Sequence, residues 1–160
     1  MPRSNNPDLD DDIADIINNE DLDQKQIKKL VRALKTDYPL LTSELRLRDI
    51  SKDLTWHFNE RGYQGKGMLV VIDKPTAVRM YDYITEYWQD YLAELQDRIN
   101  NEDDEQEALQ LKLKYEKALE TEICVVVSPE QNEIDKFEKL GLDIKLHRKK
   151  YIERDLEKEF

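Results

Sequence analysis

Cysteine and histidine are nearly missing from this 160-residue chain, which contains one cysteine and two histidines. A single cysteine, Cys124, cannot form an internal disulfide. His57 and His147 are far apart in the sequence, and neither has a cysteine or another histidine beside it. The sequence therefore predicts neither a disulfide nor a zinc site.

Glycine and proline are also scarce, with four and five residues respectively. Because few tight turns are available, long helices should dominate the fold. No apolar run approaches the ~20 residues of a membrane-spanning helix. The N-terminal sequence MPRSNNPDLDDD lacks the apolar core of a signal peptide. We therefore expect a soluble, cytoplasmic protein that makes no contact with a membrane.

Acidic residues outnumber basic ones by 36 to 25, which gives a formal net charge of −11. A protein that holds nucleic acid over its whole surface is usually basic, because neutralising phosphates supplies most of the affinity. The charge balance, taken alone, argues against a free-standing DNA-binding domain. The acidic runs at 8–12 and 102–105 lack the ligand order of an EF-hand loop and indicate solvated charge.

No arrangement of residues predicts catalysis or nucleotide binding within the chain. Gly62, Gly65 and Gly67 surround Lys66, but they lack the GxxxxGK[ST] spacing. They also precede an apolar run, whereas a phosphate-binding loop leads into the N-terminus of a helix. No Ser, His and Asp set has a recognisable nucleophile context. We therefore expect no catalytic residue, no bound cofactor and no metal in this chain.

The chain divides into three parts by composition. Residues 1–22 are acidic and expected to be frayed, and residues 23–64 form a helical lead-in. Residues 65–160 alternate between short apolar runs and helical patterns, with a helical insertion at about 90–120. The apolar runs predicted to be strands lie at 68–72, 123–127 and 142–146. Strands that alternate with helices pair in parallel through right-handed crossovers, so the sequence predicts an α/β fold.

The helix after the first apolar run has the clearest local signals. Pro75 suits its first turn. Ala77, Val78, Tyr81, Ile84 and Trp88 follow at helical spacing, and the pattern continues to about Asn100. These five side chains are the predicted inward face of a long helix.

Three stretches of the sequence resemble one known family. They are KDLTWHFNERGYQGKGMLVVIDKPTAVRMYDYI, ICVVVSPEQNEIDKFEKLGLDIKLHRKK and LHRKKYIERDLEKEF, and together they cover about residues 48–160. They are similar to the second RecA-like lobe of the motor (R) subunits of type I restriction enzymes, which belong to helicase superfamily 2. The VVVS-x-EQNEI-x-KF pattern distinguishes this family from helicases generally. Motifs I, II, V and VI of the family have no counterpart in this chain.

The resemblance implies a partial RecA-like, P-loop NTPase-type parallel sheet of about three strands with many additional helices. It also implies a parent subunit that uses ATP and magnesium to pull double-stranded DNA. That parent would cut the DNA as an ATP-dependent type I site-specific deoxyribonuclease, together with methylation and specificity subunits and the other lobes of its own chain. This chain alone would supply part of the second motor lobe and a DNA backbone contact, and would be inactive as an enzyme.

Candidate DNA-binding residues lie where the predicted strands end, since ligands of open α/β sheets bind outside the carboxyl ends of the strands. Asp73, Lys74 and Thr76 follow the first run, and their resemblance to helicase motif IV implies contact with the DNA backbone. The alternative is that Asp73 and Thr76 only cap the helix.

Two further groups follow the other predicted strands. Ser128 and Gln131 occupy the matching position after the second run, where a helix is predicted to continue to Gly141. Ser128 could instead be a simple cap of that helix. His147 and Arg148 begin a basic run that either faces DNA or forms a solvated turn.

The composition and the motifs bear on two other classes of function. The net charge of −11 and the many helices would also suit an autonomous acidic helical module that binds other proteins. A small stand-alone enzyme is disfavoured, because nucleophile, metal and phosphate motifs are all missing.

Overall fold

The computed structural model describes residues 23–62 and 65–154, apart from the side chains of residues 33, 34 and 154. The acidic segment predicted at 1–22 lies outside the described residues, as does the end of the chain beyond residue 154. Two compact units are present, Met1–Leu47 and Arg48–Phe160. Six helices connect through turns and extended segments in the described part of the chain.

Helix α1 spans Gln24–Leu41 and begins with a capping box. The Asp23 carboxylate accepts hydrogen bonds from the backbone N–H groups of Lys25 and Gln26, at 2.7 and 2.8 Å. The Gln26 side chain accepts in return from the Asp23 N–H, at 2.8 Å. These bonds satisfy backbone donors that have no partner inside the helix, which fixes where the helix starts.

Helices α2 (Glu44–Glu60), α3 (Lys74–Asn101) and α4 (Glu105–Glu120) are the longer helices that follow. Val78, Ile84 and Trp88 of α3 are buried, and Ala77 and Tyr81 are partly buried against the core, which confirms the predicted inward face. Helix α4 packs against α3, and the Trp88 indole N–H donates to the Ala118 carbonyl at 3.0 Å.

Two short helices complete the described chain, α5 (Glu133–Lys139) and α6 (Lys145–Arg154). Helix α5 ends in a Schellman motif, in which the Leu142 N–H donates to the Phe137 carbonyl at 2.9 Å and the Gly141 N–H to the Glu138 carbonyl at 3.0 Å. Gly141 has a φ of +69°, a left-handed conformation that glycine adopts without strain. The predicted stop at Gly141 is confirmed.

A small core joins α3, α5, the extended segment between α4 and α5, and the turn before α6. Its buried members are Val78, Val125, Phe137 and Ile144, with Ala77, Tyr81, Val127 and Leu142 packed around them. Burying each large apolar side chain of this kind stabilises a fold by roughly 1.5–3 kcal/mol. This core holds the N-terminal part of α3 close to the loop that precedes α5.

The predicted α/β fold is wrong, and so is the partial RecA-like parallel sheet. Residues 23–62 and 65–154 contain no strand. Met68 and Val70, in the first apolar run, are 76% and 81% exposed. A strand in a sheet requires a neighbour to pair its peptide groups and layers to cover its faces. The described part of this chain provides neither for the run at 68–72.

The other two runs predicted as strands are used differently. In the run at 123–127, Val125 is buried in the core, while the Val127 carbonyl accepts a hydrogen bond from the Arg148 side chain. The run at 142–146 is the entry to α6, where the Asp143 carboxylate accepts from the Lys145 N–H at 2.8 Å. Of its three apolar residues, Ile144 is buried, Leu142 packs against the core, and Leu146 is 47% exposed on α6.

Candidate functional site

The first group of predicted DNA-binding residues begins helix α3. The Asp73 carboxylate accepts a hydrogen bond from the Thr76 N–H at 2.7 Å, so Asp73 caps the helix. Thr76 therefore contributes its backbone to the cap. Its side chain is buried, and its hydroxyl has no hydrogen-bond partner within the described residues. The capping role considered for Asp73 is confirmed.

Lys74 belongs to a cluster of three charged side chains that we call the lysine–glutamate triad: Lys74, Glu130 and Lys136. The Lys74 ammonium lies 2.8 Å from Oε2 of Glu130, and the Lys136 ammonium lies 2.5 Å from Oε1 of the same carboxylate. Hydrogen bonds from Lys136 and Lys74 lower the pKa of the Glu130 carboxyl. The carboxylate therefore stays ionised between two cations, and the triad carries one net positive charge.

Arg148 also contacts the loop that precedes α5. Its Nε and Nη2 atoms each lie 2.7 Å from an oxygen of Glu133, which makes a bidentate ion pair. The same guanidinium donates to the Val127 carbonyl at 2.5 Å and to the Ser128 carbonyl at 2.8 Å. The Arg148 hydrogen bonds are the main cause that lowers the pKa of the Glu133 carboxyl.

A backbone hydrogen bond connects the triad with the arginine pair. The Glu130 N–H donates to Oε2 of Glu133 at 3.3 Å. The site therefore combines three cations, Lys74, Lys136 and Arg148, with two carboxylates. Its net charge is +1 in a chain whose total is −11.

The remaining predicted site residues lie around this cluster or inside the unit. The side chain of Ser128 is exposed, and α5 starts only at Glu133, so the alternative that Ser128 caps this helix is wrong. Gln131 is exposed in the turn before α5. His147 is 3% exposed and lies edge-on to the Tyr81 ring, with the two centroids 4.6 Å apart. DNA contact by these residues stays a prediction.

Burial also sets the protonation of His147. Its pKa is lowered, first by desolvation and then by the positive charge of Lys150. Asp143 opposes these effects, and Arg148 adds to the repulsion. The lowered pKa favours the neutral ring at pH 7. The Nδ1 atom of the ring has no hydrogen-bond partner among the residues that the structure describes.

Lys74 and Arg148 were predicted from the sequence as site residues, whereas Glu130, Glu133 and Lys136 were not. A signal for them exists, because these three charged residues recur at intervals of three with the order acid, acid, base. Their partners lie 56 residues away in one case and 15 in the other, and no local pattern predicts such pairs.

The cluster offers cations and hydrogen-bond donors and contains no nucleophile beside a base. Within residues 23–62 and 65–154, no group of three or more His, Cys, Asp or Glu side chains could hold a metal ion. In the same residues, every helix is too short or too polar to cross a bilayer. Binding an anion is the chemistry that this arrangement can perform.

Comparison with known proteins links part of the chain to a restriction enzyme. Over 77 residues it is 32% identical to a protein of Methanocaldococcus jannaschii named as the candidate endonuclease subunit of the type I restriction enzyme MjaIXP. The match covers 47% of this chain and 7% of that relative, so the chain spans a small part of the relative's length. No family model matches the chain. No solved structure matches it either.

Proposed function

We propose that this chain is a segment of the ATP-dependent translocase and endonuclease subunit of a type I restriction-modification system. In that role it contributes a contact with the DNA backbone to the second motor lobe and contains no complete active site. The observation that carries the proposal is the 77-residue similarity to a protein named as an endonuclease subunit of this kind. The three sequence stretches between residues 48 and 160 support the same family.

The cluster around Lys74, Lys136 and Arg148 is the part of the chain best suited to bind a phosphate of the DNA backbone. Lysine and arginine supply most protein contacts to the DNA backbone, and those contacts position a protein without specifying a sequence. A motor that moves along duplex DNA needs this kind of contact, because it must hold any sequence that it meets. The local charge of +1 offsets the acidity of the chain at one place.

ATP and magnesium belong to other parts of the parent subunit in this proposal. Double-stranded DNA and the methylation and specificity subunits are the partners of the parent, together with the other lobes of its own chain. The complex works where the DNA is, which places the chain in the cytoplasm.

The experiment that tests the proposal changes Lys74 to alanine in the full-length subunit, assembled with its methylation and specificity subunits. Translocation should slow, while the preference for recognition sequences stays the same. The slope of log K against log salt should flatten by about one phosphate contact. Lys145→Ala is the matched control, since Lys145 forms an exposed ion pair with Glu138 away from the triad. Unchanged translocation and an unchanged salt slope in the Lys74 variant would contradict the proposal.

The second candidate function is an acidic helical module that binds another protein. One observation favours it: Leu109 and Leu113, one helical turn apart on α4, are 56% and 52% exposed. A basic amphipathic peptide would fit such a face. Tight binding of that peptide by the purified chain, lost in a Leu109→Ser, Leu113→Ser variant, together with no DNA binding at low salt, would favour this alternative.

A further inference from the structure

The lysine–glutamate triad has the geometry of an anion site that already contains an anion. One carboxylate lies between two ammonium groups, and each of its oxygens faces one of them, at 2.8 Å for Lys74 and 2.5 Å for Lys136. A phosphodiester offers the same feature, because it presents two anionic oxygens on one centre. Glu130 thus occupies the place that a phosphate would take between these two lysines.

Burial separates the exchangeable part of the cluster from the fixed part. The side chains of Lys74, Glu130 and Lys136 are 29%, 29% and 42% exposed, so a ligand can reach them. The side chains of Arg148 and Glu133 are 17% and 12% exposed, and Arg148 also holds two backbone carbonyls. Ion pairs as open as those of the triad are weak and exchange readily, whereas the bidentate pair is held in place.

The loop does not depend on the Glu130 carboxylate for its position. The Glu130 backbone N–H donates to Glu133, and Glu133 is fixed by Arg148. The side chain of Glu130 can therefore swing away from the lysines while its backbone stays where it is. This separation of a fixed backbone from a movable carboxylate is what an exchange of anions requires.

We propose that Glu130 is an internal competitor for phosphate, which closes the site in the free chain and is displaced from Lys74 and Lys136 by a phosphate of duplex DNA. The inference rests on the proposed function, because it assigns DNA as the source of the phosphate. The closed triad has a charge of +1, and the two lysines without the carboxylate have +2. The displacement therefore makes binding weaker and less salt-dependent than two free lysines would allow.

Glu130→Gln in the full 160-residue chain tests this inference. The glutamine keeps the shape of the side chain and removes the charge that competes with phosphate. Binding of a labelled duplex of about 20 base pairs at low salt should become on the order of ten-fold tighter. The slope of log K against log salt should steepen by about one, since the site gains one net positive charge and each phosphate contact adds about 0.9. Lys74 should also be acylated faster, because its ion pair with Glu130 is lost.

The matched control is Glu138→Gln. It removes the same charge from the chain and breaks the ion pair between Lys145 and Glu138, which is 2.6 Å long and well exposed. Its effect on duplex affinity should be several-fold smaller than that of Glu130→Gln. Adding Lys74→Ala to the Glu130→Gln variant should remove most of the gain. The circular dichroism of each variant shows whether its helices are intact, and Glu130→Asp, which shortens the carboxylate, should change affinity in the same direction if glutamine is not tolerated.

The possible outcomes separate this inference from the proposed function. If Glu130→Gln binds no tighter than Glu138→Gln while Lys74→Ala weakens the wild-type chain, the closure by Glu130 is overturned and the DNA contact stands. If neither Glu130→Gln nor Lys74→Ala changes duplex binding, the proposed DNA contact is overturned as well. Tighter binding that persists after Lys74 and Lys136 are both changed to alanine would also contradict the inference.

Discussion

Arg148 and Glu133 form a bidentate ion pair in which two guanidinium nitrogens each lie 2.7 Å from a carboxylate oxygen. The pair joins helix α6 to the first turn of α5. Because Arg148 also donates to the carbonyls of Val127 and Ser128, one side chain connects three segments of the unit.

Arg148→Ala should therefore destabilise the protein by about 2 kcal/mol, because it removes the guanidinium that pairs with Glu133 and donates to two carbonyls. Arg148→Lys should recover only part of this loss, since an ammonium cannot make the bidentate contact. Urea unfolding followed by circular dichroism measures both values. Lys145→Ala, which breaks an exposed pair, should change stability far less than Arg148→Ala does. Equal effects of Arg148→Ala and Lys145→Ala would contradict the assigned role.

Acid should weaken the same contact. The pKa of the Glu133 carboxyl is lowered from its ordinary value of 4.5, chiefly by Arg148. A lowered folded-state pKa gives stability that is fully present above the unfolded value and is lost as the pH falls through the folded value. The difference in stability between wild type and Glu133→Gln should therefore be larger at pH 7 than at about pH 3. A difference that does not change with pH would show that the charge of Glu133 contributes nothing.

His147 should make stability pH-dependent in a second range. Its pKa is lowered from 6.5 by burial and by Lys150 and Arg148, against the opposing effect of Asp143. The unfolded chain therefore binds a proton at a higher pH than the folded chain does. The free energy of unfolding should fall as the pH drops below about 6.5.

His147→Phe tests this explanation, because phenylalanine keeps an aromatic ring beside Tyr81 and cannot take up a proton. The decline in stability between about pH 7.5 and pH 5.5 should become shallower in this variant. His57→Gln is the control, since His57 is exposed on α2. A variant at His147 that retains the full decline would indicate that other groups cause it.

The local features of the helices could be predicted from the sequence. Asp73 and Pro75 mark the start of α3, and Gly141 ends the α5 region because its φ of +69° favours glycine. Val78 and Trp88 are buried because helical spacing puts them on one face. Each of these signals depends on residues within a few positions of one another.

Whether a sheet forms, and which residues make up the charged site, depends on contacts between residues that are distant in the sequence. The sequence pattern does not reveal those contacts. An apolar run such as 68–72 has the same composition whether neighbours cover it or solvent does. Similarly, Lys74 could be identified as a cation at a helix start, but its partner Glu130 lies 56 residues later. Local periodicity therefore predicts where helices lie, and it does not identify the residues that pack against them or pair with them.

The 160-residue chain by itself should neither hydrolyse ATP nor cut DNA. Gly62, Gly65 and Gly67 lack the spacing of a phosphate-binding loop, and no cluster of metal ligands occurs in residues 23–62 and 65–154. Phosphate release in the presence of magnesium and duplex DNA, and nicking of a supercoiled plasmid, should both equal the buffer control. DNA-stimulated phosphate release that disappears on mutation of residues within the chain would overturn this prediction.

The last prediction separates the observed fold from the sheet that the sequence suggested. Val70 is 81% exposed, whereas Ile144 is 1% exposed. In a parallel sheet covered on both faces, a lysine at position 70 would have to be buried without a partner, which costs several kcal/mol. In the observed structure the side chain at position 70 is exposed to solvent. Val70→Lys should therefore change the free energy of unfolding by less than about 0.5 kcal/mol. Ile144→Ala should cost about 2–5 kcal/mol in the same urea titration, because it opens a cavity among Val78, Val125 and Phe137. A large loss of stability in Val70→Lys would mean that the run at 68–72 is covered in solution, which would contradict the observed exposure of Val70.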